Sequence, residues 1–282
     1  MILKRLIKRA TRSVGIEVSR YIPPKPQPQT IVNEGDRSPL SWGAGIWRWP
    51  AINALSLAVS AALFKHVRAG RDPSQFTIIQ IGAFDGSAAD PVRNYIETYG
   101  LKALLVEPQP DIFERLVKSY KGNPNVMFEN AAISSNNGEA VLHRFKKSAG
   151  TPYMAGALAS LSRETLIHNH HQMEGETEEV AIKLMTIESL MGKHGISSVD
   201  LLQVDTEGHD WDIIRSIDFA KVSPSIIHYE ISILPERDQN ASIELLASKG
   251  YSVLWYGTAD LLALRQGKDD APVVANWTGK PG

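Results

Sequence analysis

The stretch Leu201-Leu202-Gln203-Val204-Asp205-Thr206-Glu207-Gly208-His209-Asp210-Trp211-Asp212-Ile213-Ile214 concentrates more reactive side chains than any other part of the chain: an apolar run followed at once by carboxylates and one histidine. In an open α/β sheet the ligand crevice lies beyond the carboxyl ends of the strands, so Asp205, Glu207 and His209 fall where catalytic groups belong. An imidazole at the start of a helix is held neutral near pH 7 and can take a proton, which makes His209 the leading candidate base. Asp205 or Glu207 could take the proton instead or hold substrate hydroxyls. Other uses remain open at this level. His209 could be a buried structural histidine, and Glu207, Asp210 and Asp212 could serve only the helix macrodipole, the one role expected of Asp212. The oxygens of Asp205, Glu207 and Asp210 also suit a divalent cation, although no metal is expected. Glu230 follows the run Ile226-Ile227-His228-Tyr229 and points to the same edge, as a substrate contact with His228 or as half of a buried pair with it.

A second constellation lies upstream. The turn Ile81-Gly82-Ala83-Phe84-Asp85-Gly86-Ser87 resembles the phosphate-binding turn of nicotinamide enzymes but carries Phe84 where Gly-x-Gly-x-x-Gly needs its second glycine. Glu107, followed by Pro108, ends the next apolar run, a position that commonly holds ribose hydroxyls. Asp85, Glu107 and Asp205 on neighbouring strand ends would build negative potential, repelling a pyrophosphate and favouring a cationic amine and sulfonium. Gly82 and Gly86 would then admit a close backbone approach, and Asp85 would orient the methionine end of S-adenosylmethionine. An NAD-dependent oxidoreductase is the weaker alternative.

These residues need a frame. Apolar runs at 76–81, 103–106, 126–128, 199–204, 225–229, 251–255 and 261–264 alternate with helical patterns at 91–99, 111–120, 186–193, 211–217 and 241–249, the signature of βαβ units and a mostly parallel sheet. Only Tyr256-Gly257-Thr258-Ala259-Asp260 joins the last two strands, too short for a crossover helix, so they must be antiparallel neighbours. Residues 141–145 and 180–183 read as short extra strands, with the polar stretch between them over the crevice. The expected fold is α/β: a Rossmann-like sheet of class I methyltransferase type, with seven strands, an antiparallel C-terminal hairpin and an N-terminal helical extension.

The chain has 282 residues, 43% of them hydrophobic, enough for one large domain at 51–266. A formal net charge of -1 gives no global attraction to nucleic acid, and none is expected as a partner. Without cysteine there is no disulfide, thiolate nucleophile or cysteine-ligated metal. Residues 1–22 place Ile2, Leu3, Leu6 and Ile7 against Lys4, Arg5, Lys8 and Arg9, a basic amphipathic segment that suits an anionic membrane surface or a partner. Residues 23–50 contain a proline-rich linker and a stretch with Trp42, Trp47 and Trp49, and 267–282 form a polar tail. The apolar segment 51–64 is too short to span a bilayer and is expected as a buried helix with a polar stripe of Asn53, Ser56 and Ser60. No secretory signal is evident, so a cytoplasmic protein, peripheral to the inner face of the membrane, is expected. His168, Asn169, His170 and His171 match no metal spacing and are expected in a solvated loop.

Ile81-Gly82-Ala83-Phe84-Asp85-Gly86, Val106-Glu107-Pro108, Asn130-Ala131-Ala132-Ile133-Ser134 and Leu201 to Asp210 together resemble the FkbM family of S-adenosylmethionine-dependent methyltransferases over roughly residues 76–265. The resemblance implies a class I methyltransferase fold and O-methylation, often of sugars or of natural-product hydroxyls. It also implies that Asn130 and Ala131 lie along the adenine, with Gly82, Ala83, Asp85, Gly86, Glu107, Pro108 and Asp205 around the rest of the cofactor. Two positions depart from the pattern: Gln203 stands where the family usually has lysine, and Phe84 where it often has asparagine. The expected activity is methyl transfer to a hydroxyl of a glycan or glycolipid precursor, with a membrane-surface adaptor that has lost catalysis as the non-enzymatic alternative.

Overall fold

The computed structural model describes residues 54–87, 90–146, 158–170, 176–256 and 259–266. The basic segment 1–22, the linker and tryptophan stretch 23–50 and the tail 267–282 lie outside them, as do Asn53 and His171.

The described chain opens with helix α1 (Ala54–Arg68), whose Leu55, Val59 and Leu63 recur at helical spacing and bury with Phe76. Strand β1 (Thr77–Ile81) follows, buried at every position. Helix α2 (Arg93–Tyr99) starts two residues later than the expected 91, because the Asp90 carboxylate accepts from the backbone N–H groups of Val92 and Arg93 at 2.9 and 3.1 Å and so caps the first turn. Then come β2 (Lys102–Val106), α3 (Pro110–Ser119) and β3 (Val126–Glu129).

The region in which the sequence pattern is weakest builds a separate sheet. Its strands are β4 (Ala132–Ile133), β5 (Gly138–Phe145), β6 (Ala159–Ser160) and β7 (Thr177–Met185), ordered β4-β7-β5-β6 around Leu142, Ala159 and Ile182. The two expected strands are therefore present, longer than expected. Helix α4 (Arg163–Asn169), capped by Ser162, lies between β6 and β7 in the chain.

Helix α5 (Ile187–Lys193), capped by Thr186, leads to β8 (Leu201–Val204), α6 (Asp210–Ser216), β9 (Ile226–Glu230), α7 (Glu236–Ser248), β10 (Tyr251–Tyr256) and β11 (Asp260–Arg265). Helix α7 begins five residues before the expected 241. Its first turn follows Pro235 and holds Glu236 and Asp238, which favour a helix start without any apolar periodicity.

Seven strands form the main sheet in the order β3-β2-β1-β8-β9-β11-β10. Six point the same way, and β11 alone lies antiparallel, between β9 and β10, as the short connection requires. Alternate residues feed two cores. Ile79, Ile81, Leu104, Val106, Leu202 and Val204 pack with residues of α5, α6 and α7, whereas Ile78, Ala103, Leu105 and Leu201 pack with α1, α2 and α3. This topology, with its inserted antiparallel strand, is that of class I methyltransferases and sets the strand order reversing between β1 and β8, where a crevice must open.

Candidate functional site

The crevice opens at the carboxyl ends of β1, β2 and β8. Its central turn is fixed by backbone bonds: Gly82 and Ala83 N–H both donate to Val106 O at 3.0 Å, and Asp205 N–H donates to Ile81 O at 3.0 Å. Gly82 has φ +79, and a Cβ on it would stand 1.7 Å from the Asp205 carbonyl oxygen. A Cβ on Gly86, at φ +67, would meet Leu116 and Tyr120 at 2.6 and 2.7 Å. The neighbours that exclude a side chain at these glycines are thus the end of β8 and helix α3; Gly82 lines the crevice, whereas Gly86 is not among the residues of its wall.

Asp85 also departs from its expected place. It is buried, and its Oδ1 accepts from Ser87 N–H and Ser87 Oγ at 2.9 Å each, so it braces the turn and does not line the crevice. Glu107 does line it. Its Oε2 accepts from Phe84 N–H at 3.1 Å and its Oε1 from Gln109 N–H at 3.0 Å; burial pushes its pKa up to about 7 against these donors. The first bond holds Phe84 at φ 48, a left-handed conformation that asparagine tolerates better than phenylalanine. Pro108 and Ala131 reach the crevice, but Asn130 does not. Its amide donates to Glu107 O and Pro108 O at 2.8 and 3.0 Å and so holds the loop that carries both.

The second wall is acidic. Asp205 faces the open crevice at the end of β8, and the surrounding protein together with Asp260 raises its pKa. Glu207 has φ 54, uncommon outside glycine, and burial followed by repulsion from Asp205, Glu230 and Asp210 pushes it up to about 8. Asp210 is fully buried and pushed up to about 7 by burial, then by Asp205; its Oδ2 accepts from Thr206 Oγ1 at 2.9 Å. Among the described residues no cluster suits a metal ion.

His209 lines the crevice with Nε2 buried and unpartnered, while its Nδ1 lies 3.3 Å from Asp212 Oδ2. A carboxylate facing Nδ1 places the proton there and leaves the Nε2 lone pair without a partner. Burial depresses the pKa of His209, against the pull of Asp212. Asp212, expected only to complement the helix dipole, pairs with both His209 and Arg215.

Glu230 accepts from Ser232 Oγ at 3.0 Å and feels Asp205 and Asp260, but it does not form part of the crevice wall. His228 lies behind that wall, where Nδ1–H donates to Gln203 Oε1 and burial lowers its pKa to about 4. A substrate contact for His228 does not follow from this position. Gln203 at the usual lysine position therefore has a neutral partner and needs no charge.

Two wall residues, Gln80 and Asp90, were not singled out in the sequence, and two others, Asn169 and His170, were placed differently. His170 Nε2 sits 3.3 Å from Glu207 Oε2 and is buried, and Asn169 Nδ2 is buried without a partner, so this histidine-rich stretch is not simply a solvated loop. Gln80 and Asp90 both line the crevice. The one signal for Asp90 was Asp-Pro before a helix, which reads as a cap; for Gln80 there was none. Ala159, Ser160 and Leu161 lie over the crevice, in keeping with the expected position of part of the polar stretch.

Residues 80–253 match the family model for the methyltransferase FkbM domain. Among solved structures, the chain is similar to a methyltransferase FkbM from Methylobacillus flagellatus KT, with 10% identity, 76% of this chain and 55% of that one covered, and a TM-score of 0.39. It is similar also to a fibrillarin pre-rRNA processing protein from Methanococcus jannaschii, at 11% identity, 69% and 68% coverage and a TM-score of 0.38. A third is an RNA methyltransferase from Salinibacter ruber in complex with S-adenosyl-L-homocysteine, at 10% identity, 81% and 100% coverage and a TM-score of 0.34. No curated protein matches the chain. With the family pattern spanning the glycine turn, Glu107 and the Asp205 to Asp210 turn, the chain belongs to the FkbM family of S-adenosylmethionine-dependent methyltransferases.

Proposed function

We propose that this methyltransferase acts on oxygen, transferring the methyl group to a hydroxyl of a sugar in a glycan or glycolipid precursor, with His209 as the base. The observation that carries this reading is the free Nε2 of His209 at the crevice wall, beside Asp205 and Glu207. The wall fits S-adenosylmethionine: it is rich in carboxylates, as a sulfonium and an amine require, and Gln80 Oε1 is buried in it without a partner. Glu107 would hold the ribose hydroxyls, with Pro108, Ala131 and the Gly82-Ala83 turn along the adenosine.

The cofactor supplies an electrophilic methyl group that leaves sulfur as the new carbon–oxygen bond forms, and the sulfur keeps the electron pair. The chain's own task is to hold the acceptor oxygen in line and to take its proton at His209 Nε2. Asp212 keeps the other ring nitrogen protonated and the ring oriented. Glu207 and Asp205 accept hydrogen bonds from neighbouring hydroxyls, and because several raised acids crowd this wall, the acceptor is neutral or amine-bearing rather than anionic.

The basic segment 1–22 would bring the enzyme to an anionic membrane surface on the cytoplasmic side, near a lipid-linked acceptor. No described helix is long and apolar enough to cross a membrane. The test is a panel of neutral, amino and acidic sugars with a labelled methyl donor. Transfer to a hydroxyl of a neutral or amino sugar is expected; transfer to nitrogen, or only to acidic sugars, would overturn the assignment.

A further inference from the structure

Arg144 ties the small sheet to the wall of the crevice. Side-chain alternation puts it on the same face of β5 as Leu142, which lines the crevice, and its side chain is only 12% exposed. Its Nε donates to Glu178 Oε1 on β7 at 2.7 Å. Its Nη1 donates to Asp111 Oδ1 and Gln109 Oε1, at the start of α3, at 2.6 and 3.0 Å. Partners on the small sheet and on a helix of the main layer therefore fix the plane of the guanidinium.

Ion pairs buried in this way add little net stability, because desolvation offsets the attraction. Their geometry has a further effect at Gln109, which is buried and lines the crevice. An amide has one accepting end and one donating end. With Oε1 held by Arg144, the amide nitrogen donates to the Glu107 carboxylate. The reverse orientation would set the amide N–H groups against the guanidinium and the amide oxygen against the carboxylate, losing both hydrogen bonds. Glu107 Oε1 also accepts from the Gln109 backbone N–H at 3.0 Å, so two donors of one residue converge on this carboxylate. The pairing of Arg144 with Asp111 works in the same direction, because Asp111 is a carboxylate whose repulsion reaches Glu107.

We infer that Arg144 is a positioning residue of the cofactor site: through the Gln109 amide it aims and holds the Glu107 carboxylate that receives the ribose hydroxyls. Arg144 itself stands outside the crevice wall and acts only through Gln109. The small sheet thereby takes part in cofactor binding as well as covering the crevice.

The inference rests on Glu107 as the ribose-binding group, and calorimetry with two ligands separates the two claims. S-adenosylhomocysteine carries both ribose hydroxyls; its 2′,3′-dideoxy analogue carries neither. Wild-type protein should prefer the first by about 10- to 100-fold. Arg144→Met should weaken S-adenosylhomocysteine binding about 5- to 10-fold while leaving the dideoxy analogue within about twofold, a selectivity that a general loosening of the fold would not produce. Gln109→Met breaks the same relay but leaves Arg144 its two carboxylates. It should show the same selective loss, and it stands as the independent test if Arg144→Met fails to fold. Equal weakening of both ligands, or of neither, overturns the inference. Wild-type protein that binds the two ligands equally overturns the ribose role of Glu107, and the inference with it.

Discussion

His209 and Glu207 show how much chemistry rests on single side chains here. His209→Ala should lower the turnover number by about 10²- to 10⁴-fold while the dissociation constant of S-adenosylmethionine is unchanged; an equal loss of cofactor affinity would assign the histidine to binding instead. Glu207 combines a left-handed backbone with a carboxyl pushed up to about 8. Strain of this kind persists at functional sites at a cost of about 1–3 kcal/mol. Glu207→Asn, which suits that backbone and removes a like charge, should raise the melting temperature at pH 8 by about 2–4 °C and reduce methyl transfer. Thermal melts and single-turnover rates on the same preparation check both halves, and a destabilised variant would count against the strain argument.

At the scale of elements, the turn after β1 is held by its neighbours. The Asp205 carbonyl oxygen occupies the space of a side chain at position 82, so Gly82→Ala forces β1 and β8 apart at the floor of the crevice. A loss of about 3 kcal/mol or more is expected by chemical denaturation, and a loss below about 1 kcal/mol would show that the two strand ends can separate freely. The two-residue strands β4 and β6 and the half-exposed β5 and β7 carry little alternation, which is why this sheet was barely legible in the sequence. The main strands were legible because burial on both faces demands continuous apolar runs.

For the whole molecule, the gathered acids set the response to pH. Glu107 and Asp210 titrate near 7 and Glu207 near 8 in the folded state, against ordinary values of 4.5 for glutamate and 3.8 for aspartate. Between those limits the folded protein keeps protons that the unfolded chain has released, so stability falls as pH rises toward 8. His228 acts oppositely, because below 6.5 the unfolded chain gains a proton that the folded state refuses down to about 4. His228 thus tempers the decline below pH 6.5, and the decline should ease between pH 7 and 8, where Glu107 and Asp210 release their protons in the folded state too; saturating S-adenosylmethionine should flatten it throughout. Denaturation midpoints across this range that rise with pH would contradict the account.

Local pattern determined a good deal: apolar period and connection length set the strands, the antiparallel end and the crevice edge, and residue type at strand ends marked Glu107, Asp205, Glu207 and His209. Tertiary structure decided which acids face the crevice. Asp85 turned inward to Ser87 while Asp90 reached the wall, His228 withdrew to Gln203, and Asp212 came within reach of His209. The physical reason is that strand ends follow from burial along the chain, whereas the direction of a polar side chain depends on partners brought near only when the sheet and its helices pack.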